Sequence, residues 1–475
     1  MSPELDLCSV SRGSVSAPAG CGKTQLIADT IKSHKKPKPI LILTHTNAGK
    51  AALIERLNRA KAPRHAYYVY TINSWAIQFL SKFPKRGGHD ISILKLEHAN
   101  RDYPAIRLAA RNILKEGHIS DALKATYSRL IVDEYQDCTI SQHNIVGWTS
   151  TVLPTCVLGD RLQAIFDFKE KTVDWDSHVL KRYPEIGTLS TPWRWRRAES
   201  EDLGRWLLSI RANLLAGHTI DLKTAPDAVH WVKLSGDKKT ADSQRLKAIS
   251  EWLPTGNSTA LVIGDSKNPE GQRLIARSTP GVTTIEAVDH KDLTQFGRSF
   301  DINAPSAIED LISFSSTLMA NTNAATLIKR LASLKSGKAR KDANSLEKIC
   351  LDFSQQPSMA KALAVLQEIS AAPKVRVYRP EVLHICRSAM RVAADRNSSF
   401  YDAIVLAREL NRHRGRKITR RTVGSTLLLK GLEADVVIIL NPEEMNARHL
   451  YVALTRGAKK VVVCSQASTL VPMGF

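Results

Sequence analysis

Long apolar runs are missing from this 475-residue chain. None approaches the ~18 to 20 apolar residues that a membrane helix requires, and the opening MSPELDLCSVSRG lacks a basic flank followed by an apolar core. The expectation is a soluble, cytoplasmic protein with no membrane partner. Cysteine is also patternless: Cys8, Cys21, Cys138, Cys156, Cys350, Cys386 and Cys464 are odd in number, scattered and free of any C-x-x-C pair. That argues against a zinc site and for a reducing compartment. Aromatic residues make up only 6%, and acidic residues are in deficit, 46 Asp and Glu against 68 Lys and Arg, for a formal charge of +22. Such an excess attracts polyanions, nucleic acid first. Charge alone leaves a merely basic globular protein equally open.

What is present alternates. From residue 14, SVSAPAG, PILILTHT and AYYVYT read as buried strands separated by the helical-period segments KTQLIADTIKSH and NAGKAALIERLNRA. Short apolar strands alternating with helices predict a mainly parallel sheet covered on both faces. SWAIQFLSKF and AIRLAARNILKEGHISDALKATY then read as helices, before strands resume at RLIVDE and PTCVLGD. A second alternating set, AVHWVKLSG, TALVIGD and TTIEAVDH, is completed near the end by ITRRTVGST, ADVVIIL and KKVVVCS, with a charged, helix-rich stretch between. The economical arrangement is two α/β domains, each interrupted by helices.

Three motifs sit at strand ends. APAGCGKT (17–24) follows a strand and opens a helix. There Gly20 and Gly22 let backbone N–H groups approach phosphate oxygens, Lys23 reaches the β- and γ-phosphates, and Thr24 ligates Mg²⁺. A strict phosphate loop has Gly where Ala17 stands; a chance glycine turn is the alternative. RLIVDEYQD delivers Asp133 and Glu134 at a strand's C-terminal end, where ligands of open α/β sheets bind. Asp133 suits the Mg²⁺ shell and Glu134 the orientation or deprotonation of water, against the alternative of a capped strand end. LGDRLQAIFDF offers Gln163 as a γ-phosphate sensor and Phe166 and Phe168 as base-stacking platforms, or as core packing.

In this order, APAGCGKT, LTHTNAG, VDEYQD, GDRLQAIF, WR, KGLEAD and YVALTR resemble the successive motifs of UvrD/Rep/PcrA-type superfamily 1 (SF1A) DNA helicases, in outline over residues 14–465. The resemblance implies an α/β fold of two RecA-like P-loop domains with parallel sheets, hydrolysing ATP with Mg²⁺ at the cleft between them. Ala19, Gly20, Cys21, Gly22, Lys23, Thr24 and Gln25 then cradle the nucleotide, Thr24 and Asp133 hold the metal, and Lys23, Asp133 and Glu134 serve hydrolysis. Gln163 couples the γ-phosphate to DNA. In TPWRWRR, Trp193 stands where the family's Asn-Tyr-Arg places an aromatic on the adenine, and Arg194 stands for a γ-phosphate arginine. Arg456 matches the second arginine, Tyr451 shares its motif, and Glu433 matches a residue near the ribose and DNA. Paired guanidinium groups stabilise charge developing on a transferred phosphoryl group. Trp195, Arg196 and Arg197 receive no role.

For DNA, the resemblance implies contacts at His45, Thr46, Asn47, Asn73, Phe166, Phe168, Thr426 and Lys430. His45 replaces a stacking Phe, Asn73 a His, and Leu427 another His. No Gln precedes the phosphate loop, which leaves base selectivity either relaxed or met by Trp193 and Arg12. The expected division is 1–75 with 128–187 as the first RecA-like domain, 76–127 its short helical insertion, 188–302 with 413–475 as the second, and 303–412 its insertion. Both insertions are shorter than the family's usual ones, and no nuclease or partner-binding tail is expected after the last motif. The implied function is an ATP-dependent single-stranded DNA translocase or helicase, moving 3′ to 5′ on single strands or single-strand/duplex junctions, in DNA repair, replication or phage defence. The alternative is an ATP-gated DNA-sensing or regulatory subunit that acts with a partner nuclease or ATPase.

Overall fold

A computed structural model describes residues 5–166, 170–396, 398–414 and 419–474. The chain divides into two compact units: Met1–His230 with Pro442–Lys460 and Ser468–Phe475, and Trp231–Asn441 with Val461–Ala467.

In the first unit, β1 (Arg12–Ser16), β2 (Ile40–Thr44), β3 (Tyr67–Thr71), β4 (Arg129–Val132), β5 (Thr155–Gly159) and β6 (Glu185–Thr188) form one sheet in the order β3-β2-β4-β5-β1-β6. All its pairings are parallel. Strand alternation sorts the side chains to two faces. Leu41, Leu43, Leu130, Val132 and Val157 join a core with Trp75, Phe79, Ile106 and Ile113, whereas Ile40, Ile42, Ile131, Cys156 and Leu158 pack on the other side with Leu26, Ile27, Leu53 and Leu57. Both faces of the central strands β2, β4 and β5 are covered, so these read as continuous apolar runs. Strand β1 is RGSVS, buried beyond its first residue, and β6 is a half-exposed edge strand of sequence EIGT. It carries no apolar run, and the sequence reading passes over it. A short antiparallel pair, β7 (Ile220–Asp221) with β16 (Thr469–Leu470), completes this unit's strands.

The expected helical interruption is present as helices Ile72–Lys82, Pro84–Gly87, Ala99–Lys115 and Ser120–Thr126. The stretch read as one helix from Ala105 to Tyr127 is two. Gly117, at φ 74°, turns the chain in the left-handed region that glycine adopts without steric cost.

The second unit is built on β8 (Val229–Lys233), β9 (Ala260–Ile263), β10 (Thr283–Thr284), β13 (Arg421–Gly424), β14 (Ala434–Ile439) and β15 (Gly457–Ser465), in the order β10-β13-β9-β14-β15-β8. The β10–β13, β13–β9 and β9–β14 pairings are parallel. Two parallel six-stranded sheets flanked by helices are the α/β architecture expected of two RecA-like domains. Between β10 and β13 lies a helical body, with the antiparallel pair β11 (Met319–Ala320) and β12 (Arg376–Val377) at its margin. Its core gathers Leu293, Phe296, Phe314, Phe353, Leu366, Ile385 and Met390. Phe296 and Phe314 stack at 3.9 Å.

Two boundaries differ from expectation. The helical body begins at Lys291 rather than 303, because Leu293, Phe296 and Phe300 are buried in its core. Residues 188–230 and 442–460, expected in the second domain, belong to the first unit. Helix Glu201–Leu215 is held to β5's end through Arg211 and Asp160 at 3.1 Å, and helix Ala447–Leu454 through Arg448 and the Ala164 carbonyl at 3.3 Å. Among the described residues no helix is long and apolar enough to cross a membrane.

The helical body is tied to its own sheet by buried charge. Arg379, 1% exposed, donates to Glu286 at 2.5 and 2.7 Å and lies 2.6 Å from Asp292, while Arg273 reaches Glu286 at 2.9 Å. Burial works to raise the Glu286 carboxyl, but the two arginines outweigh it and hold it below its ordinary range. Removing one member of such a network leaves the others buried and uncompensated. Arg379→Met is therefore expected to destabilise this unit by ~3–5 kcal/mol, read as a lowered urea midpoint. An unchanged midpoint would show that solvent or rearrangement satisfies both carboxylates.

Candidate nucleotide site and nucleic-acid face

The phosphate-loop segment leaves β1 and enters helix Lys23–Ser33. Gly20 and Gly22 take φ 72° and 88°. A Cβ at Gly20 would lie 2.6 Å from the Trp195 ring, and one at Gly22 would lie 2.8 Å from the Trp193 ring. Glycine is required twice over, by backbone conformation and by these approaches. Ala17, by contrast, is buried and continues the ladder by donating its N–H to the Gly159 carbonyl at 2.8 Å. Its side chain needs no room that the turn would use. Cys21 is buried, Gln25 is exposed and bonded to Asp29, and the N–H groups opening the helix make the anion-seeking end of its dipole.

Parallel pairing sets the C-terminal ends of β1, β5, β4 and β2 in a row, and the acidic pair follows β4 directly. Lys23 Nζ lies 3.0 Å from Asp133 and 2.5 Å from Glu134. Burial works to lower the Lys23 pKa, but the two carboxylates prevail and hold it above its ordinary value, so the ammonium persists. Glu134 sits at φ 53°, ψ 43°. This left-handed conformation costs a non-glycine residue ~1–3 kcal/mol, strain of the kind that collects at functional sites. Gln136 secures it, donating to Glu134 at 2.6 Å while its oxygen accepts the Asp160 N–H at 3.1 Å. Thr24 Oγ1 accepts from Arg56 at 3.2 Å.

Among the described residues no group of three or more His, Cys, Asp or Glu side chains is placed to hold a metal. The oxygen donors of Thr24 and Asp133 fit Mg²⁺, which takes one or two protein oxygens and completes its shell with phosphate and water.

Three further chain segments meet this loop within the first unit. Trp193 is half-buried over Gly22, with the Arg196 guanidinium 5.6 Å from its ring centre. Arg194 donates its backbone N–H to the Gly20 carbonyl at 3.1 Å and its guanidinium to the Thr455 carbonyl at 2.6 Å. Trp195, 1% exposed, donates from its indole N–H to the Gly457 carbonyl at 2.9 Å. Tyr451 is buried, and its hydroxyl accepts the Ala19 N–H at 3.2 Å. Arg456, 2% exposed, donates to the Val452 carbonyl and the Thr455 hydroxyl at 2.9 and 3.0 Å. Gln163 is buried beside Asp160 at 3.2 Å. Lys23, Asp133, Glu134, Trp193 and Arg194 thus converge on the phosphate loop, whereas the described contacts turn Arg456 onto its own helix end.

The candidate nucleic-acid residues of the first unit also gather. His45 Nδ1 lies 3.0 Å from Gln142 Oε1, and its ring centre lies 6.2 Å from that of Phe166. Gln142 reaches Asn73 at 3.4 Å. Thr46 caps helix Asn47–Arg59 by accepting from Gly49, which leaves Asn47 exposed. Phe168 lies outside the described residues. In the second unit, Thr426 is buried in the short helix Thr426–Leu429 after β13, Lys430 is half-buried and Glu433 is exposed.

The decisive comparison concerns the segment that carries the loop and both acids. Residues 8–169 match the family model described as AAA domain. No curated protein matches the chain. Among solved structures, the chain is similar to an arterivirus nonstructural protein 10 (helicase) in complex with DNA, at 9% identity and TM-score 0.31, over 96% of this chain and 61% of that one. It is also similar to the Pif1 helicase from Candida albicans, at 16% identity and TM-score 0.28, over 52% of each chain. The chain therefore spans three-fifths and half, respectively, of the lengths of these proteins.

Several residues that shape this site carry no motif signal. Trp195 receives no role from the sequence, yet it is the ring that Gly20 packs against. Arg211 lies in an amphipathic helix, where nothing announces that it binds Asp160 and Ser16, at 3.1 and 3.2 Å. Trp195→Ala is expected to destabilise the first unit by ~3–5 kcal/mol. Trp195→Phe, which keeps the packing but loses the indole N–H, is expected to cost about 1 kcal/mol. Calorimetric unfolding distinguishes packing from the hydrogen bond.

A titration provides a second check. Burial, then the nearby Arg182 and His178 charges, depress His143 from 6.5 to about 4; its Nδ1 lies 2.8 Å from the Tyr135 hydroxyl. Between those values the unfolded chain binds the extra proton, so this stabilisation is complete above pH 6.5 and is lost as pH falls toward 4. The melting temperature of the first unit should fall through that window, and His143→Gln should flatten the fall. Parallel pH profiles for the two proteins would refute it.

Proposed function

We propose that the protein is an ATP-dependent single-stranded DNA translocase or helicase of the UvrD type, moving 3′ to 5′. The observation that carries the reading is the Lys23 ammonium set between Asp133 and Glu134 at a glycine turn roofed by Trp193 and Arg194. When ATP enters, phosphate charge competes for Lys23 and frees the carboxylates. Asp133 and Thr24 would hold Mg²⁺, which would supply neutralisation of the phosphate charge. Glu134, kept in its strained conformation by Gln136, is aimed to orient and deprotonate water. Trp193 offers a stacking face to the base, and Arg194 and Arg456 stabilise charge developing on the transferred phosphoryl group, Arg456 after leaving its present partners. His45, Asn73 and Phe166 carry the strand, and the formal charge of +22 favours its phosphates. Nothing more than this motif order supports the polarity.

The short first insertion, helices within 72–126, favours a second reading: an ATP-gated DNA-sensing subunit that depends on a partner nuclease or ATPase and unwinds little by itself.

Steady-state ATP turnover with and without single-stranded DNA tests the proposal. Stimulation by DNA is expected, with turnover lost by at least about 100-fold in Lys23→Ala and Glu134→Gln, the scale of a removed acid–base or charge-stabilising group. A wild-type rate indifferent to DNA would overturn it. Trp193→Ala is expected to weaken ATP binding and leave DNA affinity nearly unchanged. Displacement only from 5′-tailed duplexes overturns the direction, and turnover without displacement from either tail favours the second reading.

A further inference from the structure

On the first unit, a cavity of about 660 Å³ opens between helix Ala99–Lys115, helix Ile140–Thr149 and the ends of β2 and β3. Its size lies within the roughly 300–1,000 Å³ of small-ligand sites. His45 and Asn73 line it, so it adjoins the proposed path of the strand.

Its wall contains two kinds of group. The first kind is committed. Gln142, 2% exposed, accepts the Thr139 N–H at 3.0 Å and joins His45 to Asn73. Arg107 pairs with Glu170 at 2.9 Å, and the second Glu170 oxygen accepts the Ser141 N–H at 2.9 Å. These groups build the wall and cancel the Glu170 charge. The second kind is unspent. Tyr103, Arg111 and Asn144 line the same cavity, and among the described residues their side chains have no hydrogen bond or ion pair. Tyr103, Arg107 and Arg111 are spaced i, i+4, i+8, which puts them on one helix face. Leu108, 54% exposed, supplies apolar surface at the rim.

An aromatic ring, a carboxamide and a guanidinium are the groups that recognise an unstacked base, by stacking and by pairing with its edge. Asparagine pairs bidentately with adenine and arginine with guanine. Both offer this geometry to purines.

We propose that this cavity receives one unstacked purine of the bound single strand, stacked on Tyr103 and read by Asn144 and Arg111, so that strand binding carries a purine preference at one position. The inference rests on the single-stranded DNA reading above and adds a base selectivity to it.

The test is fluorescence anisotropy with the full chain and labelled strands of equal length. Strands alternating dA with dC or dG with dT always place a purine within one step of register, and a strand alternating dC with dT never does. The purine strands are expected to bind about five- to tenfold more tightly, the size of one stacked or bidentate contact. Tyr103→Ala and Asn144→Ala should bring them down to the level of the dC/dT strand, whose own affinity changes by less than about twofold on this accounting. Tyr103→Phe should retain the preference. Arg111→Lys keeps the charge but loses the planar fork, and it should lower dG/dT binding more than dA/dC binding. Equal wild-type affinities for all strands, with DNA-stimulated ATP turnover intact, overturn the pocket and leave the motor reading standing. So does a preference that survives in the folded Tyr103→Ala, Asn144→Ala double variant. Failure of the wild type to bind any strand overturns both.

Discussion

A single positive charge held against two negative ones organises the first unit. Lys23 stands at the start of a helix and Asp133 and Glu134 at the end of a strand more than a hundred residues later, yet the ammonium touches both. Asp133 is buried and Lys23 nearly so, and both are stable as charges only while they keep their partners. The parallel sheet brings them together: β1, β5, β4 and β2 end side by side, so every segment leaving those strands arrives at the same edge. That edge is the place where open α/β sheets bind ligands.

The cost of keeping this arrangement is visible around it. Glu134 is held in a conformation that a glutamate does not choose, and a neighbouring carboxamide fixes it there. Two glycines are pressed by two indoles, one from each end of WRW. The two tryptophans have different tasks: Trp195 is structural filling under the loop, and Trp193 remains half-open above it. Tyr451 and Thr455 then lock the same turn from a segment far along the chain. In the proposed ATPase, nucleotide entry would exchange this set of internal bonds for bonds to phosphate.

The wall of the cavity beside His45 and Asn73 is organised differently. Gln142 is satisfied by Thr139, His45 and Asn73, and Glu170 by Arg107 and the Ser141 N–H. A wall assembled in this manner is held by its own internal bonds and does not depend on a ligand.

Much of this was legible in the residues themselves. The central strands β2, β4 and β5 of the first sheet are apolar runs because both faces are covered, and the glycines, lysine and acids declare themselves by type and spacing. Hidden were β6, whose edge position removes the need for an apolar run, and the break at Gly117, where an unbroken helical period continues across a turn. The early start of the helical body at Lys291 was hidden as well, as was the membership of residues 188–230 and 442–460 in the first unit. Trp195, Arg211 and the unspent trio Tyr103, Arg111 and Asn144 also gave no sign. Local patterning determines strands, helices and motif chemistry, because these depend on periodicity and on near neighbours. Which tryptophan is buried, which arginine is already paired and which polar groups remain available are decided by contacts between residues hundreds of positions apart, and only the folded chain brings those together.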